Sequence, residues 1–305
     1  MTIRPGSQPS APPRLPEVFF ARDHDTARVA GRVRAAQWEP LARGAYVAAG
    51  AVTSEKDRAL AQMVAVHHRV RVEHWFSHES AAVLRGLRVW RDPTTTHLRQ
   101  ARRPDRNPDP TVRRHLPAVP VEHRAQVSGL PVTSLEATVV DCARSLPPLD
   151  ALVIADAAVR SGADLAKANA LLAEMPGLPG VRAAAHVLAL ADPGAESAPE
   201  TAVRYYMLAA GLPAPQTQVE VKTWHKTYWS DLGYPQHKLL IEYDGRSKYT
   251  GNEWLREKRR MDAIVEAGFR IVRATADDLH KPACLVARIR QLLVDEAIHP
   301  RPYLR

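Results

Sequence analysis

Cysteine and uninterrupted apolar sequence are both scarce in this chain. Only Cys142 and Cys284 occur among 305 residues. That count rules out a cysteine-based metal site. Each cysteine lies inside an apolar helical pattern, so both are expected to be buried thiols of a reducing compartment. No apolar run reaches the ~18 residues that a membrane-spanning helix needs, so no membrane association is expected. The first residues, MTIRPGSQPSAPPRLPE, are rich in proline and have no apolar core, unlike a secretory signal. Residues 1–16 are therefore expected to be a disordered lead-in, and the protein to be cytoplasmic.

Acid is the minority charge. The chain has 42 Lys+Arg against 33 Asp+Glu, a net +9, within an ordinary globular composition of 45% hydrophobic and 25% charged residues. A basic balance fits a polyanionic partner such as DNA, although arginine- and alanine-rich codon usage would produce the same excess. Residues 196–305 carry 17 Lys+Arg against 14 Asp+Glu, and the preceding residues carry 25 against 19. The surplus thus lies mostly outside the C-terminal third. Within residues 99–124 there are seven arginines and three acids. Arg102, Arg103, Arg113 and Arg114 are candidate phosphate contacts there, or else charges that protect a sheet edge.

What is present falls into four stretches. In residues 17–50, Asp25 or Thr26 can cap a helix over about 27–37, with Val29, Val33 and Ala36 on its inner stripe. The run WEPLARGAYVAAG then reads as two short strands joined by a turn at Arg43-Gly44. Residues 51–192 are expected to form an α+β domain. Residues 54–92 read as helical, 95–133 as alternating strands, and four helical patterns follow from Ser134. His67, His68, His74 and His78 lack consistent ligand spacing, so no metal is assigned to them. The punctuation DPGAE at 192–196 marks a boundary.

In residues 196–297 the pattern becomes helix, three strands, helix, strand, helix. Ser197 and Glu200 have capping-box spacing. The strands read TQVEVKTW, TYWSDLGY and LLIEYDG, followed by the helix EWLREKRRMDAIVEAG and the strand FRIVRAT. Asp231 and Glu242 lie on two strands of an expected hairpin. Pairing can bring their carboxylates to one side, within reach of a single divalent cation. Glu242 directly follows an apolar run, where an unpartnered carboxylate is costly. A strand-end carboxylate facing solvent is the alternative. Lys258, Arg259, Arg260, Arg270 and Arg273 are further candidate phosphate contacts.

Two family resemblances rest on these residues. Leu41, Arg43, Gly44 and Tyr46 resemble the wing signature of AbiEi-type antitoxins, and GLPVTSLEATVVDCARSL resembles the middle region of the same proteins. That likeness implies a winged helix. Only residues 15–23, with Pro16 among them, are available for its leading helix, so the unit is expected to be degenerate. The run from Asp231 through Glu242, Tyr243, Asp244 and Gly245, then Glu257-Lys258-Arg259 and Gly268-Phe269-Arg270, resembles the PD-(D/E)XK nucleases of the branch near the very-short-patch-repair (Vsr) endonucleases. This likeness covers about one hundred residues.

The second resemblance implies a restriction-endonuclease-like αβββαβα core and a magnesium-dependent deoxyribonuclease, with manganese as an alternative ion. Asp231 and Glu242 would be metal ligands, and Glu200 would complete the site through metal or water. The signature's lysine should lie two residues after Glu242, where Asp244 stands. Asp244 would replace a general base or add a ligand, and Lys248 or Lys258 would supply the missing cation. The first resemblance implies a different role: a non-catalytic DNA-binding antitoxin or transcriptional regulator with a retained nuclease-like fold. Its partners would be DNA and a toxin or a second copy of the chain.

Overall fold

A computed structural model describes residues 11–102, 109–245 and 252–298. Among these residues it is a mixed α/β protein with eleven α-helices and three sheets. None of the helices is long and apolar enough to cross a membrane. The chain divides into two compact units, with the boundary between Ala191 and Asp192.

The first unit opens with β1 (Val18–Phe20), α1 (Thr26–Arg34), β2 (Trp38–Ala42) and β3 (Ala45–Ala48). The Asp25 carboxylate accepts the Arg28 N–H and so caps α1. Gly44 takes φ +72° at the expected turn between β2 and β3. The three strands form one antiparallel sheet in the order β1-β3-β2. No leading α-helix precedes α1 among the described residues, only a single 3-10 turn at Ala21–Asp23. β1 runs through that stretch and pairs with β3, while Phe19 stacks on Trp38 at 4.6 Å. Only residues 1–10 of the expected lead-in lie outside the described residues. Residues 11–16 are seated: Leu15 packs on the core, and the Ala11 carbonyl approaches Gly86 so closely that a Cβ there would sit 2.3 Å from its oxygen.

After α2 (Glu55–Arg69), capped by Ser54, comes β4 (His74–Phe76) and then α3 (His78–Leu84). The purely helical reading of 54–92 is corrected here. His74, Trp75 and Phe76 are buried, and β4 is the middle strand of five. The others are β5 (Thr96–Gln100), β6 (Val112–His115), β7 (Arg124–Val127) and β8 (Leu130–Thr133), in the order β6-β5-β4-β8-β7. Four helices complete the unit: α4 (Leu135–Ser145), α5 (Pro148–Arg160), α6 (Leu165–Ala173) and α7 (Val181–Leu190). Cys142 is buried in α4 as expected.

The second unit has α8 (Ala198–Ala209), β9 (Gln216–Lys222), β10 (Thr227–Tyr234), β11 (Leu239–Tyr243), α9 (Asn252–Glu266), β12 (Arg270–Ala274), α10 (Ala276–His280) and α11 (Pro282–Ile298). Its sheet order is β12-β11-β10-β9, with β12 parallel to β11 and the other pairs antiparallel. A parallel neighbour requires a crossover, and α9 supplies it. Val203, Met207, Leu285 and Ile289 pack on Leu232, Leu239, Ile241 and Val272. Ala263 and Ile264 of α9 pack instead with Val219, Val221, Tyr228 and Leu240. Leu285, Val286 and Ile289 form the inner stripe of α11, which leaves Cys284 exposed and corrects its expected burial. The DPGAE stretch is not a loose linker: Gly194 N–H and the Thr217 hydroxyl both donate to Asp192 Oδ1, and Ala195 is fully buried.

Candidate functional site

Leu232 on β10 pairs with Ile241 on β11, so continuing that antiparallel register brings Asp231 level with Glu242. The Tyr243 N–H donates to Asp231 Oδ2 at 2.9 Å, which ties the two strand ends together. On the other side of Asp231 the ladder skips a rung, where buried Gln218 takes φ +48°. Asp231 and Glu242 line one cavity of about 520 Å³ together with Asp244, Glu257, Arg260, Arg273 and Lys226.

Glu242 is 9% exposed, and Arg260 of α9 grips both of its carboxylate oxygens. The same guanidinium reaches Glu257 Oε1 at 3.1 Å. Glu257 Oε1 also accepts from Arg273 of β12 at 2.7 Å, and Arg273 reaches Asp244 Oδ2 at 3.3 Å. Glu242, Arg260, Glu257, Arg273 and Asp244 thus form a chain of alternating charge. It spans β11, α9 and β12, and the crossover geometry makes it possible.

Asp231 is held by the Tyr243 N–H rather than by a member of that chain of ion pairs. Burial, then the nearby charges of Glu200 and Glu242, push its carboxyl up to about 7; the Tyr243 hydrogen bond and Arg260 oppose the shift without cancelling it. Glu200 serves the helix start as its spacing suggested. Its carboxylate accepts from the Ser197 hydroxyl at 2.8 Å and from the Glu196 N–H at 2.6 Å. It also contributes negative charge to the surroundings of Asp231.

The other expected residues separate into engaged and exposed groups. Arg260 and Arg273, expected as phosphate contacts, hold carboxylates instead. The cation beside Glu242 is Arg260, whereas Lys258 is exposed with its Nζ 5.6 Å from the Trp254 ring centre. Arg259 is exposed on the same helix. Arg270 donates to the Leu292 carbonyl and anchors α11. Arg102 and Arg113 are exposed and Arg114 is half-buried. Lys248 and Arg103 lie outside the described residues.

Glu257 was read only as part of the family run and not as a site residue. Its i,i+3 spacing to Arg260 was the available signal. Sequence reasoning overlooked His97 and His115. Among the described residues, the one group of three or more His, Cys, Asp or Glu side chains whose ligand atoms all approach within 4.8 Å is His78, His97 and His115, in the first unit. The histidines at 67, 68 and 74 do not join it. His67 Nδ1 meets His74 Nε2 at 3.1 Å, and His68 stacks on Phe20. A roomier cavity of about 640 Å³ in the first unit is lined by Arg43, Arg58, Arg69 and Asp109. Arg69 and Asp109 neutralise each other there.

No family model matches the chain. It is 36% identical over 172 residues to an uncharacterized protein of Mycobacterium tuberculosis, found in two strains. The match covers 55% of this chain and 64% of the relative, so it spans less than two thirds of the relative's length.

Proposed function

We propose that the unit beginning at Asp192 is a restriction-endonuclease-like core that hydrolyses phosphodiester bonds in DNA with a divalent cation, magnesium or manganese. The observation that carries this reading is the pair Asp231 and Glu242. They stand level on neighbouring strands and open on one cavity, with Asp231 raised to about 7 by burial and by its acidic neighbours.

The donor set suits a hard cation, because every candidate ligand is a carboxylate oxygen. Burial first, and then the charges of Glu200 and Glu242, raise Asp231, and a bound cation would offset that cost. Asp231 and Glu242 would hold the ion, and Glu200 would add negative charge behind them. For Glu242 to take part, Arg260 must release one of its two oxygens. When bound, the cation supplies charge neutralisation at the scissile phosphate and activates a water. Arg260 contributes a second positive charge in the same cavity. Once one bond to Glu242 is released, its fork can hold a phosphate oxygen. Lys226 lines the cavity, and Lys258 and Arg259 are exposed on α9, where they can hold flanking phosphates. Metal-dependent cleavage of plasmid and single-stranded DNA by the wild type, lost in Glu242→Ala, tests this reading.

One observation favours a second reading. Arg260 already satisfies both oxygens of Glu242, and Asp244 stands where the nuclease signature has lysine. A retired nuclease core would have these features. The chain would then act as a DNA-binding regulator or antitoxin of AbiEi type, with a toxin or a second copy as its protein partner. Salt-dependent DNA binding without cleavage in any divalent metal distinguishes this reading.

A further inference from the structure

We propose that His78, His97 and His115 form a binding site for a zinc-class transition metal, separate from the carboxylate cavity and independent of the nuclease reading. The three imidazoles come from three different elements. His78 opens α3, His97 lies on β5 and His115 ends β6. β5 and β6 are parallel, with His97 opposite Arg113. His115 lies two residues beyond Arg113 and therefore shares the sheet face of His97. His78 enters from the helix start, where its backbone is left-handed at φ +53°. That conformation is strained for a non-glycine residue and is held in place by its surroundings.

The geometry is close to coordination. Tetrahedral zinc with Zn–N bonds of about 2.1 Å sets its ligand nitrogens roughly 3.4 Å apart. His97 Nδ1 and His115 Nε2 are 3.1 Å apart, and all three ligand atoms fall within 4.8 Å of one another. The separations to His78 exceed the tetrahedral value by at most about 1.4 Å, a distance that side-chain rotation can cover. His78 and His97 are buried and His115 is half-buried. Burial holds all three imidazoles below their ordinary range, His115 to about 3 with the help of His78 and His97. Neutral imidazole is the form that binds zinc, copper, nickel and iron, whereas magnesium prefers oxygen.

The surroundings also match a metal centre. His78 Nδ1 contacts the Ser77 hydroxyl at 2.9 Å and lies 3.8 Å from Asp141 Oδ2, which leaves Nε2 for a ligand bond. Asp141 is only 3% exposed, and Arg99 grips both of its oxygens. The Ser77 hydroxyl is thus the group that orients the His78 ring, with the Asp141–Arg99 pair behind it. Glu79 Oε2 lies 3.8 Å from His97 Nδ1, is buried, and has no hydrogen-bond partner among the described residues. A buried carboxylate oxygen without a donor is costly, and a metal would satisfy it. Glu79, on the His97 side, is the candidate for the fourth position, since Arg99 already holds both oxygens of Asp141. A cavity of about 340 Å³ reaches the site at Glu79 and His97.

Full-length protein stripped with EDTA and dialysed against zinc should retain about one zinc per chain after removal of free metal. Cobalt in its place should give the visible bands of a four-coordinate site. His97→Ala and His115→Gln should each weaken zinc binding by roughly a hundredfold or more, and Glu79→Gln by at least about tenfold. Asp231→Asn and Glu242→Ala should keep full zinc occupancy, which separates this site from the carboxylate cavity. The cobalt spectrum of the wild type needs no variant, so a misfolded mutant cannot shelter the proposal. Wild-type protein that holds neither zinc nor cobalt would overturn it. So would a folded His115→Gln variant that binds zinc as the wild type does.

Discussion

Asp231→Asn should stabilise the second unit at alkaline pH and do nothing for it in acid. The ordinary aspartate value is 3.8, and in the folded protein burial and the charges of Glu200 and Glu242 raise Asp231 to about 7. Between those values the native state binds more protons than the unfolded chain, so its stability falls as pH rises. Each pKa unit corresponds to about 1.4 kcal/mol, which puts the full cost of ionising Asp231 at about 4 kcal/mol as an upper bound. Asparagine carries no such cost and can still accept the Tyr243 N–H. The variant should therefore match the wild type below about pH 4 and exceed it by roughly 2–4 kcal/mol above about pH 8. Native-state hydrogen exchange at β10 and β11 amides in EDTA, corrected for intrinsic pH dependence, reads that difference. Millimolar magnesium should restore the wild type at high pH through binding to the native state, and leave the variant unmoved. A difference between the two proteins that stays constant from acid to alkaline pH would refute the reasoning.

Other perturbations have equally definite outcomes. Arg260→Gln removes the partner of a 9% exposed carboxylate and should cost about 3 kcal/mol in EDTA, with part of the loss recovered in magnesium; urea melts in both conditions measure this. Changing Arg102, Arg113 and Arg114 to glutamine should lower the slope of log DNA affinity against log salt by about one for each phosphate that is no longer neutralised. An unchanged slope would remove this surface from the interface. Among the described residues, limited proteolysis should cut the exposed segment 176–179 before the half-buried and hydrogen-bonded 192–198. Mass spectrometry of the first fragments decides between the two segments.

The second unit was legible because its elements carry their own periodicity. TQVEVKTW alternates, LLIEY is a short apolar run, and Gly268 closes α9 with φ +85° at a position that favours glycine. The Asp231–Glu242 pairing followed from hairpin register alone. The hand of Arg260 on Glu242 did not, because it depends on where a crossover helix lays its inner face. β4 was missed for a related reason. His74, Trp75 and Phe76 are too few to show a period, and they gain their place from neighbours far along the chain, as in Phe76 against Val132. The leading helix was already expected to be short or absent, but β1 was not foreseen, because Val18, Phe19 and Phe20 are too few to show a period and take their place by pairing with β3. The His78, His97 and His115 group depends on the parallel register of β5 and β6, which no local pattern encodes. The exposure of Cys284 turned on the helical phase of α11 near its start, where a shift of one residue exchanges the inner and outer stripes.

The most direct test of the central claim is single-turnover cleavage of end-labelled duplex and single-stranded DNA across a magnesium and manganese titration. Wild type, Asp231→Asn and Glu242→Ala should be compared side by side at fixed salt. The account predicts a wild-type rate that rises with metal and saturates, with losses of about a hundredfold or more in both variants. Cleavage that persists unchanged in the two variants, or a folded wild type that cuts neither DNA in any metal, would contradict it.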